Sequence, residues 1–214
     1  MLKLDNIKNI IFDLGGVVIN LNVNLTTQAF VNFGFTDFNN MYTQLQQTEL
    51  FNKLDKGLIS PETFRNELRR YFSVNLSDEQ IDQAWNAMLL DFPQENRKLI
   101  QQLSKQYRTF LLSNTNQIHL DYYFRFLKQQ YGMDHFEGLF EKTYYSNEVG
   151  MRKPDQKIFE FVLNDSKLKA SETLFIDDNL SNVEGAKKAG IQAYHLQKGE
   201  NIQNIFSPVL ANQA

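Results

Sequence analysis

Two adjacent carboxylates, Asp177 and Asp178, directly follow the apolar run at residues 174–176. Carboxylates at the end of a buried strand repel each other, and a hard divalent cation such as Mg²⁺ relieves that repulsion. Asp178 or Asn179 could instead cap the following helix, but this explanation serves only one of the two and not both. The pair therefore predicts a magnesium site built on oxygen ligands.

A third carboxylate, Asp13, ends another apolar run and precedes Gly15 and Gly16. An aspartate at the carboxyl end of a parallel strand lies in the crevice where open α/β sheets bind ligands, and glycines let the backbone approach a bound group closely. An aspartate shortly before a glycine is also common in simple turns. On its own, this segment leaves both explanations open.

Two further polar segments have the same character. Ser113 and Asn114 follow an apolar run, where a hydroxyl and backbone N–H groups could bind phosphate oxygens or simply cap a helix. Lys153 stands in a loop immediately before Pro154. A lysine there can reach over the crevice and neutralise a phosphoryl group or a nucleophilic carboxylate, or it can lie solvated in the loop.

The elements that must position these residues alternate along the chain. Short apolar runs predict strands at Asn9–Phe12, 109–112, Lys142–Tyr145, 173–176 and 191–194. Helical patterns predict helices at 94–105, 118–131, 154–163 and 182–189. Apolar strands separated by helices are typical of a buried parallel sheet, so we expect a doubly wound α/β core with a mainly parallel sheet.

The intervening segment differs from the rest, because it contains helix start signals and no good strand. Ser60 precedes Pro61 at a helix start, and residues 77–80 have the spacing of a capping box. Aromatic residues at helical spacing, such as Phe64 and Trp85, favour a packed core over an aromatic substrate cage. We therefore predict an all-helical cap at residues 21–91, inserted into a core of residues 1–20 and 92–214.

Composition narrows the classes of function. The 214 residues are 42% hydrophobic, with 22 Lys and Arg against 25 Asp and Glu, so the net charge is −3. This charge provides no general footprint for nucleic acid or an anionic membrane, and no apolar run has the length of a membrane span. Without cysteine, thiolate metal sites and disulfides are excluded, and a soluble cytoplasmic protein is expected. His119, His135 and His195 lack metal-ligand spacing and are predicted to be structural.

Taken in chain order, the four segments present a carboxylate, a hydroxyl, a lysine and paired carboxylates. In this order they resemble the motifs of the haloacid dehalogenase-like hydrolase superfamily, and the resemblance covers nearly the whole chain, including a helical cap after the first motif. It implies a Rossmann-like core in which Asp13 is the nucleophile that forms an aspartyl-phosphate. The resemblance also implies phosphate binding and charge neutralisation by Ser113, Asn114 and Lys153, and Mg²⁺ ligation by Asp13, the carbonyl of Gly15, Asp177 and Asp178.

One position departs from that pattern. Phosphatases of the superfamily usually carry a second aspartate two residues after the nucleophile, as general acid and base, and here that residue is Gly15. Residues 12–18 and the cap segment 54–60 look like a bacterial branch that includes an α-glucose-1-phosphate phosphatase. The resemblance thus implies Mg²⁺-dependent hydrolysis of a small phosphomonoester, with a sugar phosphate as the candidate substrate. It leaves the oligomeric state open.

Two other functions stay open at this point. The chain could be a phosphate-binding or interaction module that lost turnover together with the missing aspartate. It could also resemble the true 2-haloacid dehalogenases, which lack that aspartate and work without metal, although these enzymes do not need the Asp177–Asp178 pair.

Overall fold

The computed structural model describes residues 4, 6–34, 49–136 and 138–211. A five-stranded, fully parallel sheet with the order β3-β2-β1-β4-β5 forms its centre. The strands are β1 Asn9–Phe12, β2 Arg108–Ser113, β3 Lys142–Tyr145, β4 Thr173–Asp177 and β5 Gln192–His195. All the predicted strands are confirmed, with bounds that differ by about one residue, which is the ordinary scatter of strand ends.

Helices connect and cover these strands. Among the described residues they are α1 Val23–Asn32, α2 Leu50–Asp55, α3 Pro61–Phe72, α4 Asp78–Asn86, α5 Gln94–Leu103, α6 Gln117–Tyr131, α7 Ser146–Val149, α8 Gln156–Asp165, α9 Leu180–Lys188 and α10 Ile202–Ala211. The sequence patterns did not predict α7 or α10. Within the described ranges, every helix is too short or too polar to cross a lipid bilayer.

Two predicted helix starts differ from the structure by two residues. α8 begins at Gln156 and not at residue 154, since Asp155 is its N-cap residue. α9 begins at Leu180 and not at residue 182, because the side chain of Asn179 accepts a hydrogen bond from the N–H of Ser181 and caps the helix. Asn182 therefore lies in the first turn of α9, where its side chain can bind a neighbouring group.

Alternate residues of the strands pack on opposite faces of the sheet. Ile10, Phe12 and Ile176 lie in one buried cluster with residues of α5, α6 and α10. Ile11 and Phe175 lie in the other, with residues of α8 and α9. Because both faces are covered by helices, the strands are apolar on both sides, and the predicted doubly wound, Rossmann-like core is confirmed.

A separate cluster unites the helices α1 to α4, which we call the cap. Its buried residues include Phe30, Leu54, Phe64, Ile81 and Trp85. The predicted caps at Ser60 and Ser77 are both formed, the second as a full capping box. Residues 35–48 of the predicted cap lie outside the described residues, and the domain boundaries at 21 and 91 stay a prediction.

The cap meets the core closely after α2. Gly57 adopts φ +65°, and a Cβ atom there would lie 2.2 Å from the carbonyl oxygen of Asn147. On the same side, the Nζ atom of Lys56 lies 3.7 Å from a carboxylate oxygen of Asp155. Only glycine permits this approach, which brings the end of α2 against the loops at the carboxyl ends of the strands.

Candidate active site

The sheet topology brings the first and last carboxylate motifs together. β1 is the central strand, and it pairs with β2 on one side and β4 on the other. Phe12 is in register with Ile176, and the N–H of Asp13 donates to the Ile176 carbonyl at 2.9 Å. Asp13 and Asp177 are therefore neighbours at the carboxyl end of the sheet, at the switch point where such folds bind ligands.

Lys153 lies between these two carboxylates. Its side chain is only 1% exposed, and Nζ donates to Asp13 Oδ1 at 2.6 Å, to Asp177 Oδ2 at 2.8 Å and to the Leu112 carbonyl at 2.8 Å. These contacts use all three ammonium protons. A fully buried lysine is stable only when it is paired in this way, so Lys153 holds the two carboxylates in a fixed arrangement.

Burial and neighbouring charges have opposite effects on the pKa of Lys153. Burial alone would lower the pKa of Lys153, but the attraction of Asp13 and Asp177 outweighs burial and raises it, so the ammonium stays charged. Burial raises the pKa of Asp13, the Asp177 and Asp178 carboxylates raise it further, and Lys153 opposes the rise. A cation bound beside Asp13 would favour its ionised, nucleophilic form.

Two asparagines hold the charged groups in place. Asn114 pairs with the main chain of Lys153, since its Nδ2 donates to the carbonyl and its Oδ1 accepts from the N–H, each at 2.9 Å. The Nδ2 of Asn182 contacts both oxygens of Asp177, at 3.1 and 3.0 Å. The amide of Asn114, predicted to bind phosphate, is thus engaged by Lys153, whereas Ser113 is buried at the end of β2 with one long contact of 3.5 Å to the Asn114 carbonyl.

Three carboxylates at this edge fit a divalent cation. Oxygens of Asp13, Asp177 and Asp178 all lie within 4.8 Å of one another, and oxygen is the donor that Mg²⁺ prefers. Gly16, at φ +76°, lies so close to Asp178 that a Cβ there would be 2.4 Å from its Oδ2. The donor set therefore fits the predicted Mg²⁺ site, and the carbonyl of Gly15 stays a predicted fourth ligand.

The space beside Gly15 is occupied. A Cβ atom on Gly15 would lie 2.3 Å from Cδ1 of Leu21, so an aspartate at this position requires that the Leu21 side chain turn away. The position that would carry the second aspartate is therefore a glycine, and the apolar side chain of Leu21 occupies the space next to it.

A cavity of about 360 Å³ lies between cap and core. The cap contributes Asp55 and Trp85 to its wall, and the core contributes Asn116, His119 and Arg152. The sequence motifs did not assign a substrate-binding role to Asp55, although it belongs to the cap segment 54–60. Only the packing of the cap on the core brings these residues together, so no local pattern could have shown that Asp55 lies beside Arg152.

His119 is a neutral structural residue of this cavity. Its ring stacks on Trp85 with the ring centroids 5.2 Å apart, and Nδ1 lies 2.8 Å from Asn86 Oδ1. Burial lowers the pKa of His119 to about 3, well below its ordinary value. The predicted structural role is consistent with these contacts.

The stability of the protein should therefore fall in mild acid through His119. Unfolding restores its ordinary pKa near 6.5, so the unfolded chain binds a proton that the folded chain refuses, and stability is lost as the pH falls below 6.5. Between pH 7 and pH 5, we expect the wild-type unfolding free energy to drop by up to about 2 kcal/mol more than that of His119→Gln. Urea titrations at both pH values measure this difference, and equal drops would contradict it.

Comparisons with known proteins identify the family of this chain. A family model for haloacid dehalogenase-like hydrolases matches residues 7–190. Over 206 residues, the chain is 31% identical to the D-ribitol-5-phosphate phosphatase of Bacteroides thetaiotaomicron. The matched region covers 95% of this chain and 98% of that protein.

Solved structures agree in fold. A haloacid dehalogenase family enzyme of B. thetaiotaomicron, in complex with magnesium and inorganic phosphate, matches with a TM-score of 0.84 and 37% identity over 94% of this chain and 99% of that chain. A haloacid dehalogenase-like family hydrolase from Porphyromonas gingivalis matches with a TM-score of 0.83 and 39% identity, over 95% of this chain and 98% of that chain. Together with the fold and the motif residues, these matches show that the chain belongs to the haloacid dehalogenase-like hydrolase family.

Proposed function

We propose that this hydrolase is an Mg²⁺-dependent phosphomonoesterase that acts on a small phosphorylated sugar or polyol through an aspartyl-phosphate on Asp13. The observation that carries the proposal is the buried contact of Lys153 with both Asp13 and Asp177. It places a fixed positive charge beside a carboxylate, which is what attack on an anionic phosphate requires. The similarity to a D-ribitol-5-phosphate phosphatase supports the substrate class.

The reaction proceeds in two steps. A carboxylate oxygen of Asp13 attacks phosphorus, an Asp13–phosphorus bond forms, and the bond from phosphorus to the ester oxygen breaks. The leaving alkoxide takes a proton from water as it departs, which leaves a hydroxide ion. A second water then attacks phosphorus, gives a proton to that hydroxide and releases Asp13, so that the net reaction of ester and one water gives alcohol and inorganic phosphate.

The surrounding groups have distinct roles in this proposal. Mg²⁺, held by Asp13, Asp177 and Asp178, supplies positive charge to the phosphate oxygens when it is bound. Lys153 offsets the repulsion between Asp13 and the substrate, and the hydroxyl of Ser113 binds a phosphate oxygen. Asn114 acts as a positioning residue, because its side chain fixes the main chain of Lys153.

The proton for the leaving group comes from water, since Gly15 provides no carboxyl group. A positioned general acid typically contributes a factor of about 10² to 10⁴ in rate, so turnover should depend on the acidity of the leaving alcohol. D-Ribitol 5-phosphate, named for the relative, is an ester of a primary alcohol. The proposed substrate class is therefore not restricted to sugar 1-phosphates, in which the leaving group is the more acidic anomeric hydroxyl.

The two alternative functions are less well supported. A binding module that had lost turnover has no need for the buried Asp13–Lys153–Asp177 contacts, yet all of them are formed. A metal-independent dehalogenase has no need for three carboxylates whose oxygens lie within 4.8 Å of one another. Both observations favour the metal-dependent phosphatase.

Removal of a single metal ligand tests this proposal. Asp178 is exposed, and replacing it with asparagine keeps the shape of the site but removes a charge. We expect Asp178→Asn to raise the Mg²⁺ concentration for half-maximal activity by at least about tenfold. The measurement is phosphate release from ribitol 5-phosphate and 4-nitrophenyl phosphate as a function of Mg²⁺, with a chelator as the blank. Activity that resists the chelator would contradict the metal dependence.

A further inference from the structure

The cavity between cap and core contains an ion pair whose two charges are incompletely satisfied. A carboxylate oxygen of Asp55, at the end of α2, lies 3.6 Å from a guanidinium nitrogen of Arg152, with side chains 19% and 27% exposed. This distance is too long for a hydrogen bond. Asn116 approaches Asp55 only at 3.5 Å, and Nε of Arg152 is buried with no hydrogen-bond partner among the described residues.

Such a pair is costly unless something else completes its hydrogen bonds. Burial raises the pKa of Asp55 to about 6, and Arg152 and Asn116 oppose the rise. Buried polar groups in folded proteins are normally satisfied by protein, water or ligand. The side chains of Asp55 and Arg152 are still 19% and 27% exposed, so the carboxylate and the guanidinium point to a bound molecule that both donates and accepts hydrogen bonds.

The position of the pair connects it to the reaction. Arg152 directly precedes Lys153, and Asn116 follows Ser113 by three residues in the same loop. A substrate whose phosphate lies at Ser113 and Lys153 can thus extend its other end toward the cavity. Since Asp55 belongs to the cap and Arg152 to the core, a molecule bound between them also links the cap to the core.

The charges and walls of the cavity select the class of molecule. A second anionic group would be repelled by Asp55, and an apolar chain would leave both charges without partners. Hydroxyl groups can donate to the carboxylate and accept from the guanidinium. The rings of Phe51 and Trp85, which stack on each other with their centroids 5.2 Å apart, add apolar atoms to the cavity wall for the C–H groups of a carbon chain.

We infer that Asp55 and Arg152 are the specificity-determining residues of this enzyme, and that they bind hydroxyl groups of a phosphorylated polyol between cap and core. This inference rests on the proposed function. The volume of about 360 Å³ suits a short chain, near the lower end of small-molecule sites.

The test compares two substrates in wild type, Asp55→Leu and a matched control. Ribitol 5-phosphate carries hydroxyl groups, whereas 4-nitrophenyl phosphate carries none beyond its phosphate. The ratio of their kcat/KM values should fall by about 10² in Asp55→Leu, the loss expected for hydrogen bonds to a charged group. The control is Lys56→Gln, which removes a neighbouring ion pair between cap and core at 3.7 Å and should keep the wild-type ratio.

The outcomes separate this inference from the proposed function. If Asp55→Leu lowers both kcat/KM values equally, or if Lys56→Gln lowers the ratio as much, the inference is wrong while the phosphatase assignment stands. If wild type hydrolyses neither substrate, the proposed function fails. Calorimetric titration with Mg²⁺ present then tests the inference by itself. Ribitol 5-phosphate should bind more weakly to Asp55→Leu than to wild type, whereas inorganic phosphate should bind equally to both. Equal binding of ribitol 5-phosphate would overturn the inference.

Discussion

Lys153→Met is expected to be the most destabilising single substitution in the candidate site. The side chain of Lys153 is 1% exposed and contacts Asp13 and Asp177 at 2.6 and 2.8 Å. Removal of one partner from a buried ion pair typically costs about 3–5 kcal/mol, because the remaining charge is left without compensation. Here two carboxylates lose their shared partner, so the unfolding free energy should fall by at least that amount.

Chemical denaturation with and without Mg²⁺ measures this loss. Mg²⁺ should restore part of the stability of Lys153→Met, since a cation bound to the same carboxylates replaces some of the missing charge. Lys157→Met is the matched control, because Lys157 is an exposed residue of α8 and its loss should change stability by less than about 0.5 kcal/mol. If the two variants were equally stable, the buried carboxylates would not need Lys153 as their counter-charge.

Asp13→Asn is expected to cause the largest loss of activity. The asparagine amide has nearly the shape of the carboxylate but is a poor nucleophile, so the rate of phosphate release should fall by at least about 10³-fold. The fold should persist, because Lys153 keeps its contacts with Asp177 and with the Leu112 carbonyl. Substitution also relieves the repulsion from Asp177 and Asp178 that raises the pKa of Asp13.

A surface aspartate provides the control for this variant. Asp134 forms an exposed ion pair with Lys128 at 2.7 Å, far in sequence from the motifs, and Asp134→Asn should keep the wild-type rate. Both variants should show the far-ultraviolet circular dichroism of the wild type. A rate for Asp13→Asn within about tenfold of wild type would show that another group attacks phosphorus.

The carboxylates of the candidate site could be predicted because they stand at the ends of apolar strands. Asp13 follows β1 and Asp177 ends β4, and parallel strands with helical crossovers bring such ends to one edge. A run of apolar residues followed by a charge is visible in the sequence itself. The strand bounds were correct to within about one residue for the same reason.

The contacts made by neutral side chains could not be predicted. Asn114 pairs with the main chain of Lys153, and Asn182 holds Asp177, but the sequence does not show which way an amide points. The sequence alone could not place the start of α9, because residues 178, 179 and 182 are all possible caps and only the geometry shows that Asn179 is the one used.

The contacts across cap and core depend on a distance that no local pattern encodes. Asp55 and Arg152 are far apart in the chain, and their approach follows from the way α2 packs against the core loops. Leu21 is a similar case, since nothing near Gly15 in the sequence shows which side chain fills the space beside it. The residues proposed to determine specificity could therefore be identified only from the structure.

The most direct test of this account is a search for the phosphoryl group on Asp13 itself. The wild-type enzyme is mixed with a phosphate monoester and Mg²⁺, quenched in acid during turnover, and digested for mass spectrometry. The aspartyl-phosphate mechanism predicts a phosphoryl group on the peptide that contains Asp13, and no such group in Asp13→Asn. Rapid turnover with no phosphorylated peptide, or a phosphoryl group on another residue, would contradict it.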